Sequence, residues 1–150
     1  MSDIETIDLE HVTDEALRTA LWVGHRHCDE YTIDPCSDGV DYCVSHPLDD
    51  DYGVDDVSDR ARAELRERLA AFIETYADDV AAYLTHEQIT GTGHGPEGML
   101  AHDYILTCDG HGTGFWDRGL GDLGRRLADA ARAEGGWTLY VGDDGELYAD

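Results

Sequence analysis

His102-Asp103-Tyr104-Ile105-Leu106-Thr107, then Cys108-Asp109-Gly110, then His111-Gly112-Thr113-Gly114-Phe115-Trp116, is the stretch whose reading decides the fold. Its first six residues mix aromatic and β-branched side chains, which predicts a strand. Asp109-Gly110 is a strong hairpin signal, so His111–Trp116 is expected to return as the partner strand. Leu120–Glu134 then reads as a helix, with Leu123, Leu127, Ala130 and Ala131 inward and Gly135-Gly136 closing it in a left-handed conformation. Trp137–Val141 is expected as a strand. Asp143-Asp144-Gly145 turns it, and Glu146-Leu147-Tyr148 completes a second hairpin. The C-terminal half therefore reads ββαββ.

Working upstream, Gly91–Gly98 is a glycine-rich loop, and Thr85-His86-Glu87-Gln88 has the form of a capping box. Ser58 is a helix cap. Ala61, Leu65, Leu69, Phe72, Ile73, Tyr76, Val80 and Leu84 recur at helical spacing after it, with Asp78-Asp79 marking a break. Thr13 caps an earlier helix reaching about His27, with Arg18 four residues after Asp14. Ile4–Leu9 alternates as a short strand or extended arm. The expected fold class is α+β: a small antiparallel sheet of about four strands packed on two N-terminal helices. It forms one domain over residues 1–150, in which 28–57 is an acidic irregular segment.

Charge is the strongest compositional signal. The chain of 150 residues carries 34 acids against 10 bases, a net charge of −24, and every base is arginine. Residues 1–57 hold 16 acids and two arginines, and Cys28–Asp59 holds 11 acids with no arginine. A surface of this sign excludes ordinary phosphate-driven nucleic-acid binding and disfavours anionic membranes. No run approaches the roughly 18 apolar residues of a membrane helix. The first ten residues lack a basic segment followed by an apolar one, which predicts no signal peptide and a cytoplasmic location.

Three readings of the acidity stand side by side: adaptation to habitat, a solvated irregular loop, and display of carboxylates in place of DNA phosphates. B-DNA carries one charge per about 1.7 Å of axis, so a dense acidic face competes for a basic DNA-binding groove. The residues expected to contact such a partner are Asp29, Glu30, Asp34, Asp38, Asp41, Asp49, Asp50, Asp51, Asp55 and Asp56.

Two Cys-x2-His pairs, Cys43/His46 and Cys108/His111, together offer the two thiolates and two imidazoles of a tetrahedral zinc site. The alternative is ordinary reduced thiols, since no Cys-x2-Cys is present. His102, Asp103, Asp109, His111 and Asp117 would gather on the first hairpin, where they bind a divalent cation, perform acid–base work, or simply make turn hydrogen bonds. Phe115 and Trp116 read as core or sheet-face residues, an exposed Trp116 pointing instead to a partner surface. Gly91-Thr92-Gly93-His94-Gly95 is no phosphate cradle, for no lysine exists to accompany it. Nothing marks a nucleophile.

His102–Thr107, Gly110-His111-Gly112-Thr113-Gly114-Phe115-Trp116-Asp117-Arg118-Gly119-Leu120-Gly121 and Leu139-Tyr140-Val141-Gly142-Asp143-Asp144-Gly145 together resemble a small protein family carried by bacteriophages and prophages of high-GC hosts. The resemblance covers about residues 72–149, not the acidic N-terminal half. It implies a phage setting and no particular activity. The position of Cys108 is usually basic in that family, so the thiol is a departure. Small, very acidic phage proteins are similar to DNA-mimic inhibitors of host defence, and this analogy favours a decoy.

The function expected from sequence is thus a non-enzymatic acidic protein that binds a basic host protein of DNA handling or defence, without touching nucleic acid or membrane. The alternatives are a small metal-binding protein or metal-dependent enzyme built on the His/Asp hairpin, and an accessory phage protein whose acidity only solvates it. Self-association is expected through an uncapped strand edge at Trp137–Val141 or Glu146–Tyr148.

Overall fold

The computed structural model describes residues 7–26, 46–50, 52–90, 95–110 and 114–149. At residues 25, 26, 46, 47 and 50 only the backbone is described. Six helices and two short antiparallel strand pairs make up these residues. In chain order they are α1 (Leu9–Val23), β1 (His25–Arg26), β2 (His46–Pro47), α2 (Asp59–Thr75), α3 (Ala77–Thr85), α4 (Glu87–Thr90), α5 (Gly95–Cys108), α6 (Asp122–Glu134), β3 (Leu139–Val141) and β4 (Leu147–Ala149). The expected four-stranded sheet of an α+β fold is overturned: the chain is α-rich, and the ββαββ reading fails at its first hairpin.

The stretch His102–Thr107 is the last part of α5, not a strand. From Gly98 to Cys108 only His102 escapes full burial, so α5 is apolar nearly all round and lies inside the bundle. A helix enclosed on every side loses the polar stripe that would reveal its 3.6-residue period, and its residues then read as a strand. Asp109-Gly110 ends this helix instead of turning a hairpin, with the Gly110 N–H donating to the Thr107 carbonyl at 3.0 Å. Phe115–Asp117 forms a 3-10 turn where the return strand was expected.

α1 starts one turn earlier than Thr13. The Asp8 carboxylate caps it by accepting from the His11 N–H at 3.2 Å, and the Thr13 hydroxyl donates back to the Leu9 carbonyl. Its buried face, which includes Val12, Ala16, Leu17, Ala20 and Leu21, packs on α5 and α2. Ser58 caps α2 as expected, its Oγ accepting from the Ala61 N–H at 3.1 Å. The break falls at Tyr76 (φ −112°, ψ 37°), two residues before Asp78-Asp79. Those acids occupy the first turn of α3, where the helix dipole favours negative charge. Ahead of α4 the capping group is the His86 ring, whose Nδ1 accepts from the Gln88 N–H, while the Thr85 hydroxyl bonds back to the Ala81 carbonyl.

The core is aromatic at its centre. Phe72 meets Tyr104 edge-on at 5.0 Å and lies parallel to Phe115 at 6.0 Å, and Tyr83 meets Phe115 edge-on at 5.3 Å. Such offset and T-shaped pairs stabilise beyond their area burial by about 0.5–1.5 kcal/mol each. One carboxylate sits among them. Asp103, fully buried, accepts the forked guanidinium of Arg118 (Nη2 at 2.7 Å, Nε at 3.1 and 3.2 Å) and the Tyr83 hydroxyl at 2.6 Å. This network ties α3, α5 and the segment after the 3-10 turn together. The second hairpin is as expected: β3 pairs with β4 in the register Leu139↔Ala149, Tyr140↔Tyr148, Val141↔Leu147. No described helix is long and apolar enough to cross a membrane.

Candidate acidic binding face

The parallel bridge Val57↔Leu147, with the Ser58 N–H donating to the Leu147 carbonyl at 2.8 Å, joins the start of α2 to β4. Parallel pairing runs both segments the same way, so the residues just before Val57 and just before Leu147 emerge at one end of the molecule. Before Val57 lies the 3-10 turn Val54–Asp56. Before Leu147 lies the turn Gly142–Glu146, closed by the Gly142 N–H on the Glu146 carbonyl at 2.7 Å. Asp55, Asp56, Asp59, Asp143, Asp144 and Glu146 are all exposed there. Glu64 is exposed one turn further along α2.

Two of these carboxylates, Asp56 and Asp144, are held in place by hydrogen bonds. Asp56 accepts from the Gly53 N–H at 2.8 Å, and Asp144 accepts from the Glu146 N–H at 3.0 Å and from the Tyr148 hydroxyl. The phenol and then the backbone N–H hold the Asp144 carboxyl below its usual range, and the same carboxylate pushes the Tyr148 phenol up to about 12.

Elsewhere arginine answers the acids. Arg62 pairs with Asp14, Arg66 with Glu10 at 2.5 Å, Arg18 with Glu15 at 2.6 Å, and Arg126 with Asp79 at 2.8 Å. Arg125 pairs with Asp122, Arg132 with Asp129 and Arg68 with Glu134. Arg18 thus reaches Glu15, and the expected partner Asp14 bonds Arg62 on α2. Among the described residues, no arginine pairs with Asp55, Asp56, Asp59, Asp143, Asp144 or Glu146, and Arg60 is the cation of that end. The acids of α1 and α6 and Asp79 of α3 are paired, whereas among the described residues Glu64, Glu67, Glu74, Asp78 and Glu87 also lack an arginine partner; what distinguishes the hairpin end is that the bridge gathers carboxylates from two distant turns there.

Of the residues expected to bind a partner, Asp49, Asp55 and Asp56 are exposed. Asp50 lies in the 3-10 turn Leu48–Asp50, its side chain undescribed, and Asp29, Glu30, Asp34, Asp38, Asp41 and Asp51 lie outside the described residues. Sequence reasoning missed Asp143, Asp144 and Glu146 as part of this face. It read Asp143-Asp144 as a tight turn and Glu146 as the start of a strand, but the bridge that sets them beside Asp55 and Asp56 spans ninety residues of chain.

The first hairpin on which the His/Asp grouping was expected is replaced by α5, which carries His102 and Asp103, and His111 lies outside the described residues. The His102 ring stacks on Trp22 of α1 (5.8 Å between centroids), beside a shallow groove of about 440 Å³ that Arg18 and Glu15 also line. Asp103 is spent on Arg118 and Tyr83. Asp109 accepts from the Trp137 N–H at 3.0 Å, and Asp117 is exposed on the 3-10 turn. Phe115 is buried, whereas Trp116 is 49% exposed.

Of the expected zinc ligands, Cys43 and His111 lie outside the described residues, as does the His46 side chain. Cys108 is buried beside Arg68 (3.8 Å), and burial pushes its thiol up to about 12. Among the described residues, no three His, Cys, Asp or Glu side chains gather in a way that holds a metal ion. Comparison with protein-family models, curated proteins and solved structures finds no match to this chain.

Proposed function

We propose that this chain is a non-enzymatic acidic protein that binds a basic partner through its hairpin end, occupying a cationic groove that otherwise holds DNA phosphates. The observation that supports this reading is the gathering of Asp55, Asp56, Asp143, Asp144 and Glu146 at one end by the Val57↔Leu147 bridge, where among the described residues no arginine pairs with them, whereas each acid of α1 and α6 and Asp79 of α3 has one. A carboxylate array steers association with a cationic groove and repels nucleic acid itself. The resemblance of the C-terminal half to phage and prophage proteins supports a partner in the host's DNA-handling or defence machinery.

The test is affinity for a basic DNA-binding protein of the host, measured at low and high salt and against duplex DNA as competitor. The reading expects affinity to fall steeply with salt and duplex DNA to displace the chain. Binding that is indifferent to salt, or simultaneous binding of both, would overturn it.

A further inference from the structure

Tyr140 and Tyr148 are register partners on the outer side of the β3–β4 hairpin, opposite the buried Leu139 and Leu147. Their rings lie 6.0 Å apart at 34°, and Tyr140 is 50% exposed. With Arg60, Ala61, Glu64 and Ala149 they line a cleft of about 240 Å³ between the hairpin and the start of α2. The cleft opens among the carboxylates of the acidic end: Glu64 on one wall and the Asp143-Asp144 turn at the hairpin tip.

The aromatic wall is held in place. The Tyr148 hydroxyl donates to Asp144, and the ring lies so close over Gly142 that a Cβ there would come within 2.3 Å of Tyr148 Cε2. Among the described residues, the arginine that stacks over a ring is Arg68, on Tyr104, and no arginine among them stacks on Tyr140 or Tyr148.

The geometry points to this cleft as the seat of an arginine side chain from the basic partner, so that the acidic end selects arginine over lysine. This inference rests on the acidic-face reading above. A guanidinium is flat, weakly hydrated and forked: it stacks on a tyrosine face while bonding a neighbouring carboxylate through two N–H groups. An ammonium is a hydrated point charge that gains less from either contact. The charge around the cleft complements a cation, and rigid tyrosines of this kind are frequent anchors of protein interfaces. Among the described residues lining the cleft, Arg60 is the one opposing charge, so its removal should strengthen binding.

The test uses the full chain titrated with oligoarginine and oligolysine peptides of equal length and charge. The expected result is about three- to tenfold tighter binding of oligoarginine. Tyr140→Leu should abolish that preference while leaving oligolysine affinity unchanged, Tyr140→Phe should keep it, and Arg60→Gln should tighten both peptides. Equal affinity for the two peptides, or a preference that survives Tyr140→Leu, would overturn the arginine seat and leave the acidic face standing. No binding of either peptide at low salt would remove the acidic face itself, and the seat with it.

Discussion

Asp103 is the residue on which the interior turns. A carboxylate with no exposure is tolerated because Arg118 and Tyr83 together satisfy both its oxygens. Asp103→Asn keeps the shape but strands the guanidinium, which retains water on one side. Chemical denaturation should show a loss of about 2–4 kcal/mol. Gly114 is constrained differently. Its φ of 138° disfavours any side chain, and a Cβ would lie 2.2 Å from the Thr107 Oγ1 that accepts the Phe115 N–H. Gly114→Ala should cost roughly 2–6 kcal/mol, strain and overlap each contributing about 1–3. Cys108 sets a pH limit. Burial raises its folded value from 9.0 to about 12, so the native state holds its proton longer than the unfolded chain does. Its contribution to stability is complete below pH 9 and is lost as pH rises towards about 12. In Cys108→Ala the alkaline decline should begin later, above the ordinary tyrosine value of 10.0, where the buried Tyr83 and Tyr104, both raised, take over. Melting temperatures across that range check this, and an unchanged onset would count against it.

At the scale of elements, the amphipathic helices were legible and the enclosed one was not. α1, α2 and α6 show their apolar stripes in sequence because each keeps one face to water. α5 does not, and Tyr104, Ile105 and Thr107 have the composition of a strand. Side-chain preference was outweighed there by burial among the other helices. Caps were legible when they lay beside the stripe they serve, as Ser58 does, and missed when a plausible residue stood one turn inside, as Thr13 does. The candidate face was half legible for a related reason. Asp55 and Asp56 belong to an acidic run visible in sequence, whereas Asp143, Asp144 and Glu146 join them only through a long-range bridge. Ser58→Ala tests how that bridge is held. Loss of the cap should cost about 1 kcal/mol. The β4 contact should survive, since it runs through the Ser58 backbone N–H. Amide exchange at Ser58 would show it, and rapid exchange at that position in the variant would contradict it.

Across the whole molecule, a net charge of −24 opposes a compact state, and three of the arginines offset it between helices: Arg62 and Arg66 between α1 and α2, and Arg126 between α3 and α6. Exposed pairs of this kind each contribute little, about 0–1 kcal/mol, and weaken with salt. Their larger consequence is where they leave the remaining charge. The most direct measurement compares two triple variants of equal charge: Asp55→Asn, Asp56→Asn, Asp143→Asn at the hairpin end, and Glu74→Gln, Asp122→Asn, Asp129→Asn on the helical flank. Association rates with a basic DNA-binding protein of the host at low salt should fall at least tenfold for the first set and by less than twofold for the second. Equal slowing in both would mean that only total charge matters, and would contradict the account.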